Sequence, residues 1–477
     1  MSFTLSLPSL IRIVNGTLSN ERHCTSDSTQ TITSINTDSR TIQPGEVFVA
    51  LEGETFDGHA FLEQVYKAGA IAAIVRHIPP GIETLGLVLI QVADTLAAYQ
   101  SIAHWWRHHL QLPVVAITGS VGKTTTKELI AAVLSLKGHV LKTQANYNNE
   151  IGVPKTLLQM DQTHDYAVVE MGMRGLGEIA ELTDIATPNI GVITNVGTAH
   201  IGRLGSESAI AQAKCELLEH LPAHGIAILN ADNQRLIDRA TQVWHGKTIT
   251  YGLTGGDIQG RILEGDRIHV TGLQAQPLEI PLPLTGPHNA VNFLAALTVA
   301  YALEFDWGQL AASLTQGLNI VLPSGRAQTM QLPNDVTILD ETYNAGFESM
   351  NAALRLLKAT PGKRHIAVLG TMKELGEWSI DLHHRVGTTV KNIGVDQLLI
   401  LADPDESEAL AKGSDDVPSY QCNSKSELLS VLEQLIMPGD SVLFKASRSV
   451  GLDDVVEQFR LTQTANRTDI LNVGPQA

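Results

Sequence analysis

The residues with the clearest chemical potential run from Thr118 to Thr125: Thr118, Gly119, Ser120, Val121, Gly122, Lys123, Thr124 and Thr125. They follow the apolar run VVAI and precede ELIAAVLSLK, which reads as a helix stopped at Gly138. A strand, a glycine turn and a helix in that order cradle phosphate. The glycines admit a close approach of the backbone, and successive N–H groups and the helix dipole point at the anion. Lys123 adds positive charge, and the Thr124 hydroxyl can ligate magnesium. The standard spacing of such loops would place glycine at 117, where the chain has Ile117, so the loop is a variant. Glycine turns also join strands to helices without any nucleotide, but Gly-Lys-Thr-Thr after an apolar strand points to ATP.

Three more strands are expected downstream: YAVVE (166–170), IGVITNV (190–196) and IAILN (226–230). In open α/β sheets, ligands bind beyond the carboxyl ends of strands, which is where Glu170 and Asn195 fall, with His200 just after. Beside a phosphate loop, a carboxylate ending a strand is the natural holder of magnesium, which takes one or two protein oxygens plus water and phosphate. Standing alone, Glu170 would read as a surface carboxylate and His200 as an ordinary core or surface histidine.

Short β-branched runs alternate with helical patterns along the chain, the signature of parallel sheets covered by helices. The 477 residues divide into three blocks: 1–100, 101–322 and 323–477. In the first, VFVAL (47–51), IAAIV (71–75) and LVLIQV (87–92) read as strands, with a helix from about His59 to Lys67 ending before Gly69. Asp94 and Thr95 can cap a helix through AAYQSIAHWWRHH that carries the chain into the second block. The third block holds TILD (337–340), HIAVLG (365–370), QLLILA (397–402) and SVLFKAS (441–447) with helices between, a second doubly wound domain. The fold class is α/β: a small N-terminal domain, a central P-loop-type parallel sheet and a C-terminal Rossmann-like domain. No internal repeat is visible, and TANRTDILNVGPQA reads as a frayed tail.

With 43% hydrophobic and 17% charged residues, the chain has the composition of a globular protein. No apolar stretch is long enough to span a membrane, and MSFTLSLPSLIRIV lacks the basic start and cleavage site of a secretory signal. A cytoplasmic location is expected. Three cysteines, Cys24, Cys215 and Cys422, are too few and scattered for a disulfide framework or zinc cluster. A net charge of −17 disfavours a nucleic-acid partner, so any phosphorylated substrate must be met by local positive charge.

Together these motifs resemble the Mur ligase family over nearly the whole chain. The resemblance rests on T-D-S-R (37–40), P-G-E-V-F-V-A-L-E-G-E-T-F-D-G-H (44–59), the loop at 118–125, A-N-Y-N-N-E-I-G-V-P (145–154) and E-M-G-M-R-G-L-G-E-I (170–179). It continues through N-V-G-T-A-H (195–200), A-K-C-E (213–216), G-P-H-N-A-V-N (286–292) and V-L-G-T-M-K-E-L-G (368–376). The asparagine-rich segment and D-E-T-Y-N-A (340–345) point to the member that adds D-alanyl-D-alanine; a ligase adding the third residue would be expected to carry an Asp-Tyr-Ala-His-type segment there.

The resemblance implies that ATP phosphorylates the terminal carboxylate of a UDP-N-acetylmuramoyl-tripeptide, that D-alanyl-D-alanine attacks the acyl phosphate, and that the tetrahedral intermediate collapses to amide, ADP and phosphate. The product is the UDP-muramoyl-pentapeptide precursor of peptidoglycan. Catalysis of this kind is mainly positioning and charge neutralisation. By the same resemblance, Thr124 and Glu170 hold one Mg2+, His200 helps hold a second, and Lys214 becomes a carbamate that ligates or orients it. Taken by itself, Lys214 is an ordinary helical lysine. Asn289 and Asn292 would contact adenine, while Arg326, Asp340, Tyr343 and Asn344 would close over the nucleotide. Ser39, Arg40, Asp57, Gly58 and His59 would receive the UDP end, with Asn146 and Asn149 also on the substrate. Read alone, Asp-Gly-His is a turn and helix start.

Two departures fall in the third block: Gly346-Phe347 stands where Asn-Pro is usual, and Ala446 where glycine is usual. They bear on the contacts to the dipeptide rather than on the reaction class. A monomer is expected, with closure of the domains around the substrates. Two other readings are a different carboxylate-amine ligase of the same fold, such as a tripeptide or folylpolyglutamate synthetase, and a P-loop ATPase switch or kinase. The asparagine segment and the first block favour the D-alanyl-D-alanine ligase over the former. The complete third domain and the lack of switch elements stand against the latter.

Overall fold

The computed structural model describes residues 3–19, 31–82 and 85–471, with side chains described to residue 463. Three large sheets organise it, beside a two-stranded pair of Leu5–Ser6 with Thr31–Ile32. The N-terminal sheet has the strand order Thr17–Leu18, Val88–Gln91, Ala72–Val75, Glu46–Val49, Ser34–Asn36. All its pairings are parallel except that of the edge strand Thr17–Leu18. The expected helix begins as a 3₁₀ turn, Gly58–Phe61, and continues as Leu62–Lys67.

The helix Thr95–His109 links this sheet to the next. Asp94 caps it, its carboxylate accepting from the amides of Leu96 at 2.8 Å and Ala97 at 3.0 Å. Buried Trp106 donates to the Met160 carbonyl at 2.9 Å, and buried Arg107 donates to that of Ala186 at 3.0 Å. Burying a large side chain such as Tyr99 or Trp106 is worth roughly 1.5–3 kcal/mol, so this helix is anchored along its length to the central domain.

The central sheet has nine strands. Val114–Thr118 lies between Tyr166–Glu170 and Ile190–Ile193, all three parallel, and each strand is buried on both faces as its apolar run predicts. The helix Pro287–Ala302, apolar almost all round, packs on the helix Lys123–Leu134 over this sheet. Beyond Lys247–Gly252 the sheet continues through Ile258–Leu263 into Arg267–Thr271 and Leu278–Pro281, an antiparallel meander absent from the purely parallel expectation. The meander's strands alternate buried and exposed residues, the period-two signal of a sheet with one wet face.

The C-terminal sheet runs Gln328–Gln331, Thr337–Asp340, Ser441–Lys445, His365–Gly370, Gln397–Leu401, Ser419–Gln421, parallel except for its first strand. The expectation of a frayed tail from Thr464 is corrected for residues 464–471, which continue a helix, while 472–477 lie outside the described residues. The last helix runs Leu452–Leu471, because no glycine or proline interrupts the chain before Gly474-Pro475. Among the described cysteines, Cys215 and Cys422 are free and buried; Cys24 lies outside the described residues.

Candidate active site

The loop after Val114–Thr118 turns through Gly122 at φ +84°, where an added Cβ would lie 2.8 Å from the Asn292 side-chain oxygen. Glycine is therefore demanded there both by the left-handed backbone and by the neighbouring helix. The helix Lys123–Leu134 starts at once, aiming its free N–H groups into the cavity. Lys123 folds back and donates to the Gly119 carbonyl at 2.8 Å. Burial pushes its amine below the ordinary lysine range, with Glu170 and Glu374 pulling it up and Arg326 adding to the push.

Glu170 is 3% exposed at the end of its strand. Its carboxylate accepts from the Thr124 hydroxyl at 2.9 Å and from the Asn148 amide at 2.9 Å, and its own amide donates to Thr143 Oγ1 at 2.9 Å. Among the described residues it has no cation within ion-pair distance. A buried carboxylate beside a hydroxyl, both hard oxygen donors on a cavity wall, fits a magnesium ion. Asn195 holds the loop itself: it accepts from the Val121 amide at 3.0 Å and donates to the Val121 carbonyl at 3.0 Å.

These groups line one cavity of about 1060 Å³. Ser120 to Thr125, Asn146, Asn149, Glu170, His200, Asn289 and Asn292 reach it from the central domain, and Arg326, Tyr343 and Asn344 from the C-terminal domain. The Arg326 guanidinium lies over the Tyr343 ring at 4.0 Å, and its buried Nε has no hydrogen-bond partner among the described residues. Asn289 donates to the Thr285 carbonyl at 2.8 Å, and the Asn149 side chain accepts from the Gly152 amide at 2.9 Å. His200 has a left-handed backbone, φ +69°, and its Nδ1 lies 2.7 Å from Glu374 Oε2 without hydrogen-bond alignment. That contact holds the Glu374 carboxyl below the usual range.

Other expected residues stand off the cavity. Thr118 and Gly119 lie behind the loop, and Asp340 is buried, its carboxylate accepting from Thr342 N at 3.0 Å and Thr342 Oγ1 at 2.6 Å. Burial pushes the Asp340 carboxyl up against those hydrogen bonds. Lys214 is 1% exposed, with no hydrogen-bond or ion-pair partner among the described residues. Burial and the charge of Lys123 push its amine well below the ordinary range.

In the N-terminal domain, Thr37 lines the cavity but Ser39, Arg40, Asp57, Gly58 and His59 do not. Exposed Arg40 clasps Asp38 at 2.8 and 2.7 Å, which lowers the Asp38 carboxyl to about 2. Asp57 caps the 3₁₀ turn, accepting from the His59 amide at 2.9 Å. The His59 ring is buried with both nitrogens engaged: Nε2 accepts from the Arg76 amide at 2.9 Å, and Nδ1 lies 2.6 Å from Asp57 Oδ1. Glu52, His59 and His77 group their ligand atoms within 4.8 Å, as metal ligands would. Because Nε2 accepts a hydrogen bond, the neutral ring carries its proton on Nδ1, which leaves His59 no lone pair for an ion.

Asn148, Thr143, Glu348 and Lys445 were not singled out from sequence. Asn148 lay inside the asparagine segment and so had a signal; Glu348, a helical carboxylate among many, had none. Lys445 is buried, donates to the Asn344 carbonyl at 3.1 Å and sits 3.5 Å from Glu341 Oε2.

Three family models match the chain in succession. Residues 31–105 match the Mur ligase family catalytic domain, 117–300 the Mur ligase middle domain and 325–448 the Mur ligase glutamate ligase domain. The UDP-N-acetylmuramoyl-tripeptide D-alanyl-D-alanine ligase of Synechocystis sp. is 53% identical over 429 residues, 90% of this chain and 92% of that protein. The crystal structure of MurF from Acinetobacter baumannii superposes with a TM-score of 0.84 at 30% identity, covering 96% of this chain and 99% of that one. MurF from Thermotoga maritima in complex with ADP gives a TM-score of 0.80 at 28% identity, covering 91% and 98%.

Proposed function

The chain belongs to the Mur ligase family, and from that membership we propose that it joins D-alanyl-D-alanine to UDP-N-acetylmuramoyl-tripeptide at the expense of ATP, making the pentapeptide precursor of peptidoglycan. The observation that carries the reading is a single cavity. In it the nucleotide loop, the Glu170 carboxylate and the Asn146–Asn149 segment face Arg326, Tyr343 and Asn344 of the next domain. A carboxylate is a poor acylating agent and an acyl phosphate a good one, so a site that grips triphosphate, acyl substrate and amine together accomplishes the coupling.

Within this reading, Lys123 and the N-terminus of its helix neutralise charge on the transferring phosphoryl group, and Asn289 and Asn292 meet the adenine. Arg326, stacked on Tyr343, covers the phosphates from the C-terminal domain, with Asp340 supporting that segment from below and Asn344 beside it. Thr124 and Glu170 would hold Mg2+, His200 and Lys214 would serve a second, and bound magnesium would supply positive charge between the phosphates and the acyl group. The buried amine of Lys214 has no anionic partner among the described residues, which suits addition of carbon dioxide with loss of a proton, giving a carbamate. Asn146 and Asn149 would contact the peptide end of the substrate. Ser39 and Arg40 would take the UDP end, with Asp57, Gly58 and His59 shaping that surface. The domains are taken as 1–100, 101–322 and 323–477, the chain as a monomer and the location as cytoplasmic. No helix among the described residues is long and apolar enough to cross a membrane.

The test is phosphate release from ATP and magnesium with UDP-muramoyl tripeptide and D-alanyl-D-alanine, separately and together, with product mass recorded. Release that requires both, with the pentapeptide mass, is the expected outcome. Release without the dipeptide, or with a different amine, would refute the assignment. A carbamate carbon resonance after incubation with 13C-bicarbonate, absent in Lys214→Arg, tests the lysine separately.

A further inference from the structure

One of the stretches on which the C-terminal domain meets the central domain is residues 197–202. Thr198 is buried, and both its donors end on one side chain: its amide donates to Glu348 Oε1 at 2.7 Å and its hydroxyl to Glu348 Oε2 at 3.1 Å. At the other end of the stretch, the Gly202 amide donates to the Glu374 carbonyl at 3.1 Å. The same stretch is tied inward to the nucleotide loop. The Gly197 amide donates to Ser120 Oγ at 2.9 Å, and the Ser120 amide donates to the Asn195 carbonyl at 3.1 Å.

We propose that Glu348 is a positioning residue for the ligation, coupling the docking of the C-terminal domain to the shape of the nucleotide loop through Thr198 and Gly197. The proposal rests on the reaction assigned above. Three features support it. Charge-assisted bonds to both oxygens of one carboxylate fix its direction as well as its distance, which a single contact does not. A Cβ on Gly197 would lie 2.6 Å from the Glu348 carboxyl carbon, so the approach exists because that position is glycine. Glu348 also lies in the first turn of the helix Phe347–Ala359, where a negative charge is favoured, and it lines the cavity that must accept phosphates. A carboxylate there would repel an anionic ligand unless its oxygens were committed elsewhere, and both are turned onto Thr198. Undocking would free the carboxylate, release Thr198 and slacken the Gly197–Ser120 bond in one event.

Hydrogen exchange of the peptide containing Thr198, in the full-length chain, reads the contact directly, and steady-state ligation reads its consequence. Glu348→Ala is expected to speed exchange of that peptide about tenfold or more and to lower kcat roughly 10–100-fold, the range for losing hydrogen bonds to a charged group. The KM for the UDP-tripeptide should move much less than kcat. Glu348→Gln keeps an acceptor for the Thr198 amide and is expected to restore most of the protection and part of kcat. Thr198→Val added to Glu348→Ala should cost little more, because the two share one interaction. Unchanged exchange in Glu348→Ala, or losses that multiply as if independent, would overturn the proposal. A wild-type chain that makes no pentapeptide, yet shows faster exchange in Glu348→Ala, would refute the assigned reaction while supporting the contact.

Discussion

Asn195 closes a two-way clasp on Val121, accepting from its amide and donating to its carbonyl, each at 3.0 Å. The nucleotide loop is thus held by an adjacent strand's extension as well as by its own Lys123, which donates to the Gly119 carbonyl. Thr194 adds a third bond, its hydroxyl donating to the same Val121 carbonyl at 2.7 Å. The loop need not be ordered by the nucleotide, so the entropy of shaping it is spent in folding.

Asn195→Ala is therefore expected to raise the KM for ATP roughly 10–100-fold, since leaving a partly buried backbone group unpaired costs about 1–3 kcal/mol. Thermal melting should fall by only a few degrees. An unaltered KM in a nucleotide titration would show that the loop is held without the clasp.

Lys214 makes a prediction about stability. Its amine is held well below the ordinary lysine range by burial and by Lys123. In the unfolded chain it is protonated at neutral pH, so the unfolded state carries more protons and stability rises with pH. The slope for one proton is at most about 1.36 kcal/mol per pH unit, and it ends where the ordinary lysine range is reached. Lys214→Met removes that penalty. In buffer free of carbon dioxide, denaturant titrations should find the variant more stable than wild type at pH 7, with the gap narrowing by pH 9.5. A gap of constant size would contradict a neutral buried amine.

His59 behaves in the structure as a fastener. Its ring also stacks on His77, with centroids 4.1 Å apart. His59→Leu would leave the Arg76 amide without its acceptor, and a loss of about 1–3 kcal/mol is expected in chemical denaturation. A variant of wild-type stability with a raised KM for the UDP substrate would instead make His59 a ligand.

Tyr343 offers its ring face to Arg326. Stacking of this kind is worth about 0.5–2 kcal/mol, so Tyr343→Ala is expected to raise the KM for ATP roughly 3–30-fold while Tyr343→Phe stays near wild type. Loss of function in the phenylalanine variant would move the role to the hydroxyl.

The nucleotide loop, its strand and its helix were legible in the chain because they are contiguous: glycines, lysine and threonines act through the backbone of one local turn. Glu170 was legible for a similar reason, since a strand that ends in a carboxylate carries it to the sheet's carboxyl edge. The family resemblance extended that reading to the substrates. The meander from Ile258 to Pro281 and the burial of His59 needed the fold itself. What tertiary structure alone decided was partnership across distance: Asn195 with Val121, Asn148 with Glu170, Thr198 with Glu348. These partners are 74, 22 and 150 residues apart. Whether a polar side chain serves a ligand or a neighbouring backbone depends on what packing brings within 3 Å of it, and residue type and spacing do not encode that distance.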